Sequence, residues 1–129
     1  MEDTRIDEIA PDIYRIATDI QAPGFAFSFN QYLIAADAPM LWHTGPRQLF
    51  ERTRGAIARV MPVEKLRYIG FSHFEQDECG ALNEFLAIAP NAEAVCSGVG
   101  AMTSVGDLAI RPPRALSDGE RLDLGGTVL

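Results

Sequence analysis

The chain has 129 residues, of which 47% are hydrophobic and 22% are charged, a composition typical of one folded domain. Its 11 basic and 18 acidic residues give a formal net charge of −7, which disfavours sequence-independent nucleic-acid binding because such binding depends on positive charge. No apolar run approaches the ~20 residues of a membrane-spanning helix, the acidic N-terminus does not resemble a secretory signal, and two cysteines do not form a disulfide framework. We therefore expect one cytoplasmic domain over residues 1–129, with no nucleic-acid or membrane partner.

The first part of the chain predicts short β-strands. Residues 12–16 alternate between polar and apolar side chains after the break at Pro11, as expected for a strand. From Phe25 to Ile34, phenylalanines at alternate positions predict a strand with one buried aromatic face. Residues 37–39 are typical of a turn, so Met40–Trp42 is expected to return as the next strand of a hairpin. Four aromatic residues are interpreted as parts of the core: Phe25, Phe27, Phe29 and Trp42.

The hydrophobic pattern then changes to the period of helices. Apolar residues recur at helical spacing from Pro46 to Met61, and Pro62 ends this pattern. A nearly continuous apolar run over residues 66–71 predicts a buried strand, and a second amphipathic helix begins at Leu82 and ends before Pro90. Residues 94–96 are interpreted as another buried strand. The order strand, helix, strand, helix, strand predicts parallel βαβ units.

Glycines mark the remaining segments of the chain. Gly98-Val99-Gly100 lacks the third glycine of a dinucleotide-binding motif and is interpreted as a flexible turn. Roughly the last thirty residues are expected to return to short strands, with turns at Asp118-Gly119 and Gly125-Gly126.

One segment carries side chains suited to metal chemistry. His73, Glu75 and Asp77 alternate within Ser72–Gly80, between a predicted strand and a predicted helix. In an extended or tightly looped segment these side chains converge on one point, and ligand sites in α/β sheets lie beyond the carboxyl ends of strands. Imidazole together with carboxylate suits iron, manganese or zinc better than calcium. The alternative is a loop histidine followed by acidic residues, which are favoured in the first turn of a helix.

The octapeptide His73–Gly80, with the sequence H-F-E-Q-D-E-C-G, resembles the H-x-E-x-D-H-x-G motif of flavodiiron proteins. These proteins form the diiron branch of the metallo-β-lactamase superfamily, whose hydrolytic members usually carry H-x-H-x-D-H, so Glu75 favours the diiron branch. The flanking segments, including the Thr44-Gly45 turn, are similar to the N-terminal half of that family's domain. The resemblance implies an α/β fold: a metallo-β-lactamase-like αββα sandwich, of which this chain forms only the N-terminal half, a mixed sheet flanked by helices.

The resemblance also implies a set of metal ligands. It makes His73 and Glu75 ligands of one iron and Asp77 a ligand of its neighbour. Position 78 is Glu78 where the family usually has histidine, a change expected to alter the hydrogen bonds around the ligands rather than to abolish metal binding. The resemblance does not assign a catalytic residue.

Two further residues of this region are left with open interpretations. His43 stands where relatives often have aspartate, and it is either structural or exposed, with a role in the metal pocket as the alternative. Cys79, next to the predicted ligands at a helix start, is interpreted as a buried and inert thiol. The alternative is a thiol with a lowered pKa that is readily oxidised.

The predicted metal site is incomplete within this chain. The family completes its site with further histidines and a bridging aspartate from the second half of its domain, whereas this chain has two histidines in all. We therefore expect a truncated domain, or one that another polypeptide completes. Half of an αββα sandwich leaves one sheet face uncovered, so association into an oligomer or with a missing C-terminal half is expected.

Three functions remain open at this stage. The resemblance implies a non-haem diiron protein that binds or reduces dioxygen or nitric oxide. Such a protein is either an oxidoreductase that receives electrons from an external donor or an oxygen sensor that acts on a signalling partner. Zinc or manganese is the alternative to iron as the bound metal. The first alternative function is a metal-dependent hydrolase of the metallo-β-lactamase superfamily. The second is a non-catalytic fragment that retains the motif without a complete site.

Overall fold

The computed structural model describes residues 3–129, so the first two residues of the acidic N-terminus lie outside it. In the described part of the chain, strands form one mixed sheet whose spatial order is their order in the sequence. The strands are β1 (Asp3–Ala10), β2 (Ile13–Ala22), β3 (Phe25–Ile34), β4 (Met40–Trp42), β5 (Tyr68–Gly70), β6 (Glu93–Ser97) and β7 (Arg114–Leu116).

The sheet has an antiparallel half and a parallel half. β1 to β4 pair antiparallel, and β4 to β7 pair parallel, which confirms the predicted hairpin and the parallel βαβ units. The bounds predicted for β3 and β4 agree with the structure, whereas β2 extends six residues beyond its predicted end at Ile16. β1 was not predicted, because its sequence alternates charged residues with few apolar ones. Such a pattern suits the edge of a sheet.

Helices connect the parallel strands. A 3₁₀ turn at Arg47–Leu49 leads into α1 (Phe50–Ala58), and a second 3₁₀ turn at Val63–Lys65 precedes β5. Between β5 and β6 lie α2 (Gln76–Cys79) and α3 (Leu82–Ile88), and between β6 and β7 lie α4 (Gly98–Met102) and α5 (Ser104–Leu108). Within residues 3–129, no helix combines the length and apolar character needed to cross a bilayer.

The core has two parts, one on each face of the sheet. Neighbouring strand residues alternate between the two parts, as the pleat requires: Leu41 lies in the first part and Met40 in the second. On the first face, α3 buries its apolar side completely, and the ring of Phe85 meets the ring of Phe50 edge-to-face at 4.8 Å. On the second face, Leu122 and Leu124 of the C-terminal segment cover part of the sheet.

The predicted burial of the β3 aromatic face was wrong. Phe25 and Phe27 are 55% and 45% exposed, and Phe29 is half-buried. Along the strand, the rings of Phe25 and Phe27 stack with centroids 6.0 Å apart, and the rings of Phe27 and Phe29 meet edge-to-face with centroids 4.7 Å apart. β2 and β3 form a long hairpin, and α1 packs on β1 and β2 beside the fully buried Ile16, away from the distal end that carries these rings. Trp42 is half-buried and packs against the second part of the core.

The segment after β6 also differs from its prediction. Gly98 to Gly100 begin helix α4 rather than forming a flexible turn. The hydroxyl of Ser97 caps this helix by accepting a hydrogen bond from the Gly100 N–H at 3.1 Å, a signal present in the sequence. The predicted turns farther on are present, with φ values of 76° at Gly119 and of 77° and 92° at Gly125 and Gly126.

Arg111, in the segment before β7, forms hydrogen bonds with the end of α3. Its guanidinium donates hydrogen bonds to the carbonyl oxygens of Leu86, Ala89 and Ala92 at 2.8, 2.9 and 2.6 Å. The Leu86 carbonyl needs such a partner because the residue four positions later is Pro90, which has no N–H.

Candidate metal centre

The predicted ligand segment lies at the carboxyl edge of the parallel strands. It follows β5 and leads into α2, as the sequence predicted. The turn after β4 lies beside it, because the His43 N–H donates to the Gly70 carbonyl at 2.8 Å and the Thr44 N–H donates to the Glu78 carbonyl at 2.7 Å. Two strand ends and one short helix therefore converge at this edge, where α/β sheets commonly bind ligands.

The turn after β4 is held in a tight, left-handed conformation. His43 has a φ of 66° and Gly45 a φ of 76°. A Cβ at Gly45 would lie 3.0 Å from Nε2 of the buried Gln31, so both backbone and space favour glycine there. Thr44 is fully buried; its hydroxyl donates to the Gly45 carbonyl at 2.8 Å and accepts from the Ala81 N–H at 3.1 Å. This hydroxyl joins the turn to the start of α3.

The three predicted ligands all lie on the exposed side of the segment. The side chain of His73 is 72% exposed, and Glu75 and Asp77 are exposed as well. Glu75 is extended, with φ −131° and ψ 155°, but the chain becomes helical at Gln76, so the alternation does not continue through Asp77. Among residues 3–129, no three histidine, cysteine, aspartate or glutamate side chains are grouped so as to hold a metal ion. Imidazole and carboxylate are groups that bind iron, but the structure does not bring these three side chains together at one point.

Glu78 is the inward-facing acid of the segment. Its side chain is 14% exposed, and one carboxylate oxygen, Oε2, accepts a hydrogen bond from the His73 N–H. The other oxygen, Oε1, lies 3.5 Å from Nδ1 of the His73 ring, and Oε2 lies 4.0 Å from Nε2 of His43. The two positions that depart from the family's pattern, 43 and 78, are therefore neighbours in space.

His43 is held chiefly by Ser72, a contact that sequence reasoning missed. Nε2 of His43 lies 3.1 Å from the Ser72 hydroxyl and accepts from the Ser72 N–H at 3.3 Å. The His43 ring also stacks on Trp42, with centroids 5.6 Å apart. The sequence carried no signal for the pairing of His43 with Ser72, because the two residues are 29 positions apart and meet only once β4 and β5 pair.

Cys79 is buried beneath the segment, with 3% of its surface exposed. Its thiol donates to the Glu75 carbonyl at 3.3 Å, and burial raises its pKa from 9.0 to about 11. These features favour the buried, inert thiol over the readily oxidised one. Burial also raises the pKa of Cys96, which is half-buried on β6.

An open cleft of about 470 Å³ lies on the outer side of α2. Phe74 and Leu108 provide apolar lining, and Arg47 and Glu84 form an ion pair of 3.0 Å at its edge. Of the three predicted ligands, Glu75 contributes to this lining. The cleft therefore gives solvent a path to that carboxylate.

The sequence of this chain matches a family model and a curated relative. The family model described as ODP family beta lactamase matches residues 27–102. A curated relative, diflavin flavoprotein A 1 of Thermosynechococcus vestitus, is 30% identical over 100 residues, which cover 76% of this chain and 17% of the relative. The residues matched by the family model begin within β3, run through β6 and include the entire predicted ligand segment.

Two solved structures illustrate the likeness of the fold. A variant of the flavo di-iron protein from Thermotoga maritima superposes with a TM-score of 0.84 at 21% identity, over 99% of this chain and 36% of that one. The rubredoxin oxygen:oxidoreductase from Desulfovibrio gigas gives a TM-score of 0.80 at 21% identity, over 96% of this chain and 34% of that one. The mixed sheet flanked by helices is thus the fold of their metallo-β-lactamase-like domain, and this chain spans about a third of the length of each structure.

Proposed function

Because this chain belongs to the ODP family of beta-lactamases, we propose that it contributes part of a non-haem iron centre of the flavodiiron type. His73, Glu75 and Asp77 are its proposed ligands, and donors outside residues 3–129 complete the centre. The observation that carries the proposal is the exposed donor segment at the carboxyl edge of the parallel strands, inside the matched region.

The donor chemistry supports iron as the metal. One imidazole and two carboxylates are ligands that iron accepts, and zinc or manganese accepts them too. Their exposure leaves the donor atoms free to meet further ligands from a second segment or a partner chain. A non-haem iron pair, when bound, would supply the binding and reduction of dioxygen or nitric oxide. His73, Glu75 and Asp77 would provide three of its ligands from the sheet edge, where all three side chains are exposed.

An external electron donor would be needed for reduction, and a signalling partner would be needed for oxygen sensing. A missing C-terminal half or a second polypeptide is the proposed source of the remaining ligands. A cytoplasmic location also remains part of the proposal.

Metal analysis tests the proposal directly. The wild-type chain, purified without added metal and then titrated with Fe²⁺ under anaerobic conditions, is expected to bind iron, and His73→Ala is expected to lose that iron. Glu64→Gln, an exposed acid outside the segment, is the matched control and should bind iron as the wild type does. Equal iron binding by wild type and His73→Ala, or no binding by either, would overturn the proposal for this chain.

Enzyme and sensor are separated by one further assay on iron-loaded protein. Steady oxygen consumption with a supplied reductant supports an oxidoreductase, and reversible oxygen binding without consumption supports a sensor. The family's description as a beta lactamase keeps hydrolysis as the second candidate. Hydrolysis of simple esters by zinc-loaded protein, without oxygen uptake, would favour that candidate.

A further inference from the structure

The carboxylate of Glu78 lies beside Nδ1 of the His73 ring, and we propose that Glu78 is a positioning residue for that ring. In this proposal Oε1 of Glu78, which lies 3.5 Å from Nδ1 of His73, serves as the acceptor for the Nδ1–H, and Nε2 is left without a proton as the nitrogen that would bind a metal. The relevance to metal rests on the proposed function, whereas the ring orientation is a property of the metal-free chain.

The first support is that the position of Glu78 is fixed by the backbone. Its carbonyl oxygen accepts from the Thr44 N–H at 2.7 Å, and its own N–H donates to the Glu75 carbonyl at 3.0 Å. The first bond ties α2 to the turn after β4, and the second lies within the first turn of α2. The Glu78 side chain then points back over the segment, where it is 14% exposed and accepts the His73 N–H.

The second support is the neighbour of Nδ1 in the largely exposed ring of His73. The ring is 72% exposed, and its Nδ1 lies 3.5 Å from Oε1 of Glu78. A carboxylate can only accept hydrogen bonds, so this neighbour favours the neutral tautomer with the proton on Nδ1. A metal-binding histidine commonly donates its second ring N–H to a carboxylate in this way, which fixes both the tautomer and the orientation of the ring.

The third support is that His43 does not compete for Oε1. Nε2 of His43 is engaged by Ser72, whose N–H donates to it at 3.3 Å and whose hydroxyl lies 3.1 Å away. Its distance to the carboxylate, 4.0 Å to Oε2, is too long for a hydrogen bond. The free oxygen of Glu78 is therefore left to His73.

Nitrogen-15 spectra of the metal-free chain test this proposal. The sequence contains two histidines, so a His73→Ala sample assigns the ring signals without ambiguity. At alkaline pH, where imidazoles are neutral, wild-type His73 is expected to carry its proton on Nδ1. Glu78→Gln keeps an oxygen for the His73 N–H but places an NH₂ group where Nδ1 needs an acceptor, so the proton is expected to move to Nε2. Glu84→Gln, in the ion pair with Arg47, should leave the His73 signals unchanged.

A wild-type ring protonated on Nε2 would overturn the proposal, and this result requires no variant to fold. An unchanged tautomer in Glu78→Gln would overturn it as well.

A titration with Co²⁺ is the second test. The affinity for Co²⁺ should be lowered by roughly 10–100-fold in Glu78→Gln and unaltered in Glu84→Gln. If His73→Ala binds Co²⁺ as the wild type does, the proposed function fails while the tautomer result stands. A shifted tautomer with unchanged Co²⁺ affinity would refute the positioning role.

Discussion

Replacement of Arg111 by methionine should markedly destabilise the chain, although Arg111 lies far from the predicted ligands in the sequence. Its guanidinium satisfies three carbonyl groups at the end of α3 and just after it. Methionine keeps a flexible apolar stem of similar length and removes all the donors. The variant therefore tests hydrogen bonding at this helix end with little change in packing.

The three bonds are not equivalent, which sets the expected size of the effect. A hydrogen bond from a charged donor contributes roughly 1.5–3 kcal/mol, and bonds that share one donor group do not add fully. Ala89 keeps another partner, because its carbonyl also accepts from the Ala92 N–H at 3.0 Å, whereas the N–H that the Leu86 carbonyl would normally use is absent at Pro90. We expect Arg111→Met to lower the free energy of unfolding by about 2–4 kcal/mol.

Urea unfolding at pH 7, followed by circular dichroism, gives the free energies needed. Arg111→Lys keeps the charge with a single point donor and should lose about half as much as Arg111→Met. Arg121→Met, at an exposed arginine, controls for the loss of a positive charge. A change below about 0.5 kcal/mol in Arg111→Met, or equal losses in Arg111→Met and Arg121→Met, would refute the reasoning.

Three further variants test other parts of the fold by urea unfolding. Phe85→Ala empties a fully buried site against Phe50 and should cost about 3–5 kcal/mol, and a cost below about 1 kcal/mol would contradict the core assignment. Phe27→Ser, at a ring that is 45% exposed, should cost no more than about 1 kcal/mol, and a loss equal to that of Phe85→Ala would show that the aromatic face is buried. Asp19→Asn removes a carboxylate whose pKa is held below its usual 3.8, first by a hydrogen bond from Arg5. The stabilising contribution of this carboxylate is present above pH 3.8 and is lost as the pH falls through its lower pKa in the folded state. The free energies of unfolding of wild type and variant should therefore become equal in acid. A difference that stays constant at all pH values would refute this.

Local periodicity predicted the strands and helices but did not reveal what covers them. The alternating phenylalanines of β3 set the bounds Phe25–Ile34, because period-two spacing is a property of the strand itself. The exposure of Phe25 and Phe27 depends on the position of α1, which packs on β1 and β2 instead. That position is a tertiary property, and no spacing within β3 encodes it.

The candidate site shows the same division between local and tertiary information. The place of His73, Glu75 and Asp77 after a buried strand followed from the sequence, as did the helix that comes after them. The inward position of Glu78 did not follow, because it depends on α2 starting at Gln76 and on the Thr44 turn docking against it. The ligand set itself stays a prediction.

The order of the strands in the sheet affects how this chain folds during its synthesis. Each strand pairs with the strand that precedes it in the sequence, from β1 to β7. The three antiparallel pairings of β1 to β4 close loops of two to five residues, and such local pairings form rapidly, whereas each parallel pairing waits for a longer helical crossover. As the chain leaves the ribosome from its N-terminus, every new strand meets a partner that has already emerged. The sheet can thus grow in one direction during translation, without waiting for a distant segment.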